Sequence, residues 1–263
     1  MSDTLRRLLA ADALRIVFQP IFDVSRTKPR LWAFEALTRG PEGTHFEEPN
    51  ALFDYVRSRK EEVSIDRRCV AEALSRASDL GSLLPLLTVN VHASTLERDE
   101  GFASYFESAF VAADVEPAKI IVEIVEQTPY VDVGCIAAVL SQLRSFGVRI
   151  AVDDMGLGHG NFRTILDVNP EFLKIGHYFV HGCAGDGHRR ALLRSAVQIA
   201  ADFGAVVIAE GVEQEDDLDA IGEIGVTLVQ GFLLGRPQSP AVLTTTFSAM
   251  DLAYAPSLVR TLA

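Results

Sequence analysis

Apolar residues recur along this chain in two alternating rhythms. Short β-rich runs, IVFQPIF, LWAFEAL, LLTVN, IIVEIVE, RIAVDD, FLKI, AVVIAE and TLVQG, are apolar at most positions. Between them lie segments whose apolar residues fall at helical spacing, such as SIDRRCVAEALSRASDL, VGCIAAVLSQLRSFG and RRALLRSAVQIAADFG. The last two end at a glycine before the next strand, as helix C-termini often do. Strands apolar on both faces and separated by helices predict a parallel sheet. Eight such runs predict its closure into an α/β barrel. A further amphipathic helix is predicted over MSDTLRRLLAADALR, which lacks a cleavage site. No linker, low-complexity tract or repeat divides the sequence, so one domain is expected over residues 1–263, a length that α/β barrels commonly reach at about 250 residues.

Nearly every strand run ends in a polar side chain: Gln19, Glu35, Asn90, Glu123 with Glu126, Asp153 with Asp154, Lys174, Glu210 and Gln230. In a closed parallel barrel those ends gather at one rim, where the active sites of such barrels lie. Helix capping accounts for any single acid among them. It does not account for the set, because Glu35, Glu123 and Glu210 are enclosed by apolar neighbours, where an unpaired carboxylate is costly. Glu35, Asn90, Glu123 and Asp153 offer only oxygen, which suits Mg²⁺ or Mn²⁺ better than zinc or copper. Asp154 makes room for a second ion, an arrangement that activates water and stabilises phosphodiester cleavage. Arg39 and Lys174 are candidates for holding the phosphate, one through a planar fork and the other as a point charge.

Composition narrows the ligand. Hydrophobic residues make up 48% and charged residues 23% of the chain, enough for a large buried core. A formal net charge of −12 opposes nucleic acid and anionic membranes at long range, so a phosphate must be held by metal ions or a few arginines. The apolar stretches stop well short of the ~20 residues of a membrane span. A cytoplasmic protein, with no membrane insertion and no nucleic-acid partner, is expected. Cys69, Cys135 and Cys183 have neither zinc spacing nor the even count of a disulfide framework; they are expected to be reduced, with the first two packed. His177 and His181 have the spacing of a helical metal pair, yet they follow a strand in a glycine-containing segment without an acidic third ligand, which predicts a solvent-facing loop. His92 and His159 lie near the rim, within reach of a substrate. The run EQEDDLD is expected in the first turns of a helix, where the dipole favours negative charge, as a solvated face. Pro129 reads as a strand terminator.

At these residues the sequence resembles the EAL-domain family, bacterial phosphodiesterases that hydrolyse cyclic di-GMP to linear pGpG on a modified TIM barrel. The resemblance runs through FQPIFD, FEALTRG, LTVNVHAS, VEIVEQTP, VDDMGLG, FLKIG, IAEGVEQ and QGFLLGRP, in the family's order. Eight ordered motifs are specific where a lone Glu-Ala-Leu is not. The resemblance implies a (β/α)₈ barrel whose first strand runs antiparallel to the rest. Position by position, it implies Glu35, Asn90, Glu123 and Asp153 as ligands of a first Mg²⁺ or Mn²⁺ and Asp154 as the residue serving a second. Glu210 matches the general base for the attacking water, and Lys174 the lysine near that water and the scissile phosphate. Gln19 and Arg39 look like substrate-binding positions, Gln230 like a rim residue supporting the site, and Glu126 like the glutamate that steadies the loop after the fifth strand.

Two positions depart from the family. Its loop reads Asp-Asp-Phe-Gly-Thr-Gly where this chain has DDMGLG; the resemblance ties that loop to pairing of two copies and to placement of the second ion. Where the family has Lys-Ile-Asp or Lys-Leu-Asp, this chain has Lys174, Ile175 and Gly176, so a carboxylate is missing beside the second metal. Binding of one or two ions and slowed hydrolysis are expected. His177 is not expected to substitute, because neighbouring strand residues point to opposite faces. The alternative is a degenerate EAL domain that senses cyclic di-GMP or works through a protein partner. Another hard-metal barrel enzyme, acting on a carboxylate substrate, is disfavoured by the ordered motifs.

Overall fold

Eight strands close into one barrel in chain order. They are β1 (Arg15–Asp23), β2 (Arg30–Arg39), β3 (Leu87–His92), β4 (Ile120–Val125), β5 (Arg149–Val152), β6 (Phe172–Ile175), β7 (Val206–Ala209) and β8 (Leu228–Gln230). In this computed structural model the described residues are 3–8, 10, 13–125, 133–156 and 162–248. Glu126, Pro129 and His159 lie outside them, as do the last two residues of DDMGLG.

Neighbours from β2 to β8 pair in parallel, and β1 is antiparallel to both β2 and β8. The expected barrel with an antiparallel first strand is the architecture found. Chain length between strands explains the difference. Only residues 24–29 join β1 to β2, too few for the crossover that parallel strands require. Between β2 and β3 the chain instead carries Pro49–Arg59 and Glu62–Ala77.

The helical segments read from the sequence appear as Glu62–Ala77, Val133–Ser145 and Gly187–Asp202. After the last two, Gly147 and Gly204 take φ +97 and +72, left-handed backbone that turns the chain into β5 and β7. The amino-terminal helix is shorter than predicted. It covers Asp3–Leu8, and Arg15 already stands in β1 opposite Arg39. Leu8 is buried in a satellite cluster with Leu14, Leu52, Val56 and Ile65. Cys69 is buried as expected and Cys183 is buried too, both as free thiols; burial pushes them up to about 12 and about 11. The side chain of Cys135 lies outside the described residues. No helix among the described residues is long and apolar enough to cross a membrane.

The barrel interior is layered. Ala33, Ile121, Ala151, Phe172, Ile208 and Leu228 belong to one apolar plug, closed by Trp32 edge-on to Phe172 at 5.2 Å. Side chains of a strand repeat their direction every two residues. Two positions nearer the rim on the same strands, or just beyond their ends, come Glu35, Glu123, Asp153, Lys174, Glu210 and Gln230. A dry floor therefore carries a polar cup, and the same alternation that buries the plug fixes the direction of the polar side chains.

Candidate active site

Lys174 occupies the centre of that cup, 1% exposed. Its Nζ lies 2.7 Å from Glu123, 3.2 Å from Glu35, 2.5 Å from Glu210 and 3.8 Å from Asp153. Glu35 is fixed further by the Asn90 amide, which donates to Oε1 at 2.9 Å, and by Gln230, which donates to Oε2 at 2.7 Å. Asn90 spends its N–H on Glu35, so its oxygen is the atom left for an ion. Gln230 is thus buried in the acid cluster as a donor to Glu35.

Burial and charge set the protonation of the cluster. Burial alone would raise Glu35, but Lys174 and the hydrogen bonds from Asn90, Gln230 and Lys174 outweigh it and hold this carboxyl below its ordinary value. Glu123 goes the other way: burial and the neighbouring Glu35 push it well above the carboxylate range despite Lys174. Burial pushes Glu210 up to about 8, Lys174 pulling it down while Asp153 and Glu35 add repulsion. For Lys174 burial disfavours the charge, and four surrounding carboxylates more than restore it. Too much negative charge is buried here for one ammonium to neutralise.

The donor set fits hard divalent cations. It is rich in oxygen, and Oε1 of Glu123 is buried without a hydrogen-bond partner among the described residues, so its desolvation is uncompensated there. Asp153, Asp154 and Glu210 present carboxylate oxygens all within 4.8 Å of one another. Asp154 reaches this position through a left-handed φ of 49, which aspartate tolerates better than most residues. Its backbone N–H donates to Asp153 Oδ1 at 2.8 Å, and Met155 N–H to the Lys174 carbonyl at 3.0 Å, tying the turn to β6. Burial, with repulsion from Asp153, raises the Asp154 carboxyl.

Gly176 follows β6 with φ −68 and ψ 162, extended backbone open to any L residue. It lies two positions beyond Lys174 and so in line with the cup. Glu210 N–H donates to the carbonyl of Ile175 at 2.9 Å, which sets the glycine beside the proposed base.

A cleft of about 330 Å³ opens beside the cup, lined by Glu35, Arg39, Phe53, Asn90, His92 and Asp153 among others. Arg39 thus lines this cleft, its guanidinium donating to the Thr38 carbonyl at 3.0 Å. Gln19 is less available. It faces Glu35 across the β1–β2 ladder, and its amide donates to the Gly235 carbonyl at 3.1 Å. Sequence reasoning placed His92 near the rim but missed its partner: Nδ1 lies 2.8 Å from Asp66, which also accepts from His92 N–H. Burial opposes the imidazolium, and the Asp66 carboxylate outweighs it, so His92 is raised. Asp66 shares the buried face of the helix Glu62–Ala77 with two other acids, Glu62 and Glu72, so helical spacing alone did not single it out.

Over residues 2–237 the chain matches the family model described as EAL domain. The chain belongs to the EAL domain family. It is 31% identical over 137 residues to the bifunctional diguanylate cyclase/cyclic di-GMP phosphodiesterase MucR of Pseudomonas aeruginosa, an alignment covering 52% of this chain and 20% of MucR. The chain spans only about a fifth of such a curated relative. Among solved structures, the PaMucR phosphodiesterase in its c-di-GMP complex superposes with a TM-score of 0.79 at 27% identity, covering 91% of this chain and 97% of that one. Klebsiella pneumoniae BlrP1, in a manganese/c-di-GMP complex, gives 0.77 at 26% identity over 88% of this chain and 57% of that one.

Two expectations need correction. His177 and His181 are not on an open loop away from acids: His177 begins the short helix His177–Val180, and Glu213 joins the two imidazoles. In EQEDDLD, Asp217 is not solvated but 1% exposed, accepting from the backbone of Gly182 and Ala184 at 2.9 and 3.0 Å. Both errors have one cause, since contacts between the segments after β6 and β7 leave no trace in local periodicity.

Proposed function

We propose that this EAL domain, as a single domain, hydrolyses cyclic di-GMP to linear pGpG. The observation that carries the proposal is the acid cup around Lys174, with Asp153, Asp154 and Glu210 converging within 4.8 Å beside a cleft that holds Arg39. The names and ligands of the relatives supply the substrate.

Glu35, Asn90, Glu123 and Asp153 would hold a first Mg²⁺ or Mn²⁺, with Asp154 serving a second. When bound, such ions lower the pKa of water and neutralise charge on the transferring phosphoryl group. Glu210 takes the proton of the attacking water at its carboxylate, beside the Lys174 ammonium that favours its ionised form. The water oxygen bonds to phosphorus, one P–O3′ ester bond breaks, and the released 3′ oxygen takes up a proton equivalent to the one Glu210 removed from water, after which the Glu210 carboxylate is regenerated. Lys174 holds positive charge beside Glu210 and the phosphate, while Arg39 and Gln19 orient the nucleotide. Glu126 is assigned the support of the loop after β5 by resemblance alone. The reading carries a cytoplasmic location. Pairing of two copies near Met155 is supported by exposed Phe162, Leu166 and Leu192.

A second reading, a domain that binds cyclic di-GMP without cleaving it, is favoured by one observation: the backbone beside Glu210 bears no side chain at Gly176. Incubating purified protein with cyclic di-GMP and Mg²⁺ or Mn²⁺, and following pGpG by chromatography, separates the two. Product that accumulates only with the divalent ion supports the phosphodiesterase, whereas retained binding without product supports the sensor.

A further inference from the structure

We propose that His177, His181 and Glu213 form a second metal site, distinct from the acid cup and suited to Zn²⁺ and other divalent ions that favour imidazole. A nitrogen from each histidine and an oxygen of Glu213 lie within 4.8 Å of one another. The histidines are four residues apart, with ring centroids 4.8 Å apart and planes inclined by 18°. Ligands on a tetrahedral Zn²⁺ at about 2.1 Å sit roughly 3.4 Å from each other. The spread here is wider than that, and the exposed Glu213 side chain is the donor free to move inward.

A second observation points to a ligand. Nδ1 of His181 is buried and makes no hydrogen bond among the described residues. A buried, unpartnered imidazole nitrogen is costly, and fixing this ring on a cation through one nitrogen orients the other.

The frame around the three side chains is already built. The Arg189 guanidinium donates to the His181 carbonyl at 2.8 Å and to that of Tyr178, holding the helix His177–Val180. Asp217 holds the next turn through Gly182 and Ala184. His177 packs into space left by Gly211, where an added Cβ would meet the His177 Cβ at 2.5 Å; with φ +67 that position also favours glycine by its backbone. The donors therefore sit on held segments rather than on a free loop, the condition for a metal site of useful affinity.

Donor chemistry separates this site from the cup. Two imidazoles and one carboxylate suit Zn²⁺, whereas the oxygen-rich cup suits Mg²⁺ or Mn²⁺. The two share no residue. His177 follows Gly176, and Glu213 follows Glu210 by three positions. An ion here therefore fastens together the chain segments that leave β6 and β7.

Calorimetric titration of the full chain with Zn²⁺ in excess Mg²⁺ tests the proposal. A binding component in the micromolar range or tighter is expected, weakened about tenfold or more in both His181→Gln and Glu213→Gln and retained in Asp154→Asn. Co²⁺ loading should add the visible absorption of a nitrogen-ligated tetrahedral ion, lost in His181→Gln. Glu213 is exposed, so Glu213→Gln keeps the test open if the histidine variant fails to fold. Zn²⁺ binding that survives both variants, that vanishes in Asp154→Asn, or that is only millimolar overturns the site.

Discussion

Lys174 and Glu210 extend from adjacent strands with Nζ 2.5 Å from Oε1, so the cation at the centre of the cup is bound directly to the proposed base. The same ammonium faces Glu123, Glu35 and Asp153. Removing it leaves buried carboxylates without a counter-charge, which is far more damaging than never having buried the pair. Lys174→Met should destabilise the metal-free protein by about 3–5 kcal/mol. Mn²⁺ should restore part of that loss by supplying the missing charge. Urea denaturation with chelator and with Mn²⁺ measures both terms, and equal stability of variant and parent in chelator would remove Lys174 from its role as counter-charge.

Glu210 is the next member to test, because its carboxyl is raised to about 8 while its backbone is pinned to Ile175. Glu210→Gln keeps the shape and removes the base. Turnover should be lost, while cyclic-di-GMP binding, measured by calorimetry, stays within about tenfold of the parent because Arg39 and the cleft are untouched. A variant that hydrolyses at the parent rate would contradict the assignment.

The floor and the cup were both legible in the sequence for one reason. Phe172 and Lys174, or Ile208 and Glu210, are two residues apart on one strand, and period two sends them to the same interior. Local alternation therefore located the cup. It could not disclose that Asp66 from a helix reaches His92 on β3, or that Glu213 after β7 joins His177 after β6, because those contacts depend on how separate segments pack. Asp217 failed for the same reason: helix periodicity marked an acid near an amino terminus, and only packing made it a buried acceptor.

That acceptor gives a pH prediction. Burial would raise the Asp217 carboxyl, but the N–H groups of Ala184 and Gly182 outweigh it and hold it below its ordinary value. A depressed carboxyl contributes stability above its unfolded value, near 3.9, and loses it as pH falls through the lower folded value. Asp217→Asn should therefore cost about 1–3 kcal/mol at neutral pH. The gap between variant and parent should narrow as pH falls below about 4. A gap that stays constant through the acid range in chemical denaturation would show that the carboxylate charge contributes nothing.

Gly176 is the remaining position to test. Its φ of −68 and ψ of 162 accept a side chain without strain, and it precedes the helix His177–Val180 at the position where aspartate is a favoured cap. The backbone therefore does not demand glycine. In Gly176→Asp the new carboxylate would project in line with Lys174, towards Asp153, Asp154 and Glu210. Without metal it adds repulsion to a cluster already short of positive charge. With metal it adds a ligand, so stabilisation by Mn²⁺, read as the rise in melting temperature, should be larger in the variant than in the parent. Turnover should rise by about tenfold at limiting Mn²⁺, less at saturation, and not at all when Asp154 is also changed to Ala, since the gain works through the second ion. His177 cannot mask the result, because its ring is packed on Gly211 and grouped with His181 and Glu213. A parent that is already fast, with no gain from Gly176→Asp at any Mn²⁺ concentration, would mean that three carboxylates suffice and that the glycine is not a catalytic deficit.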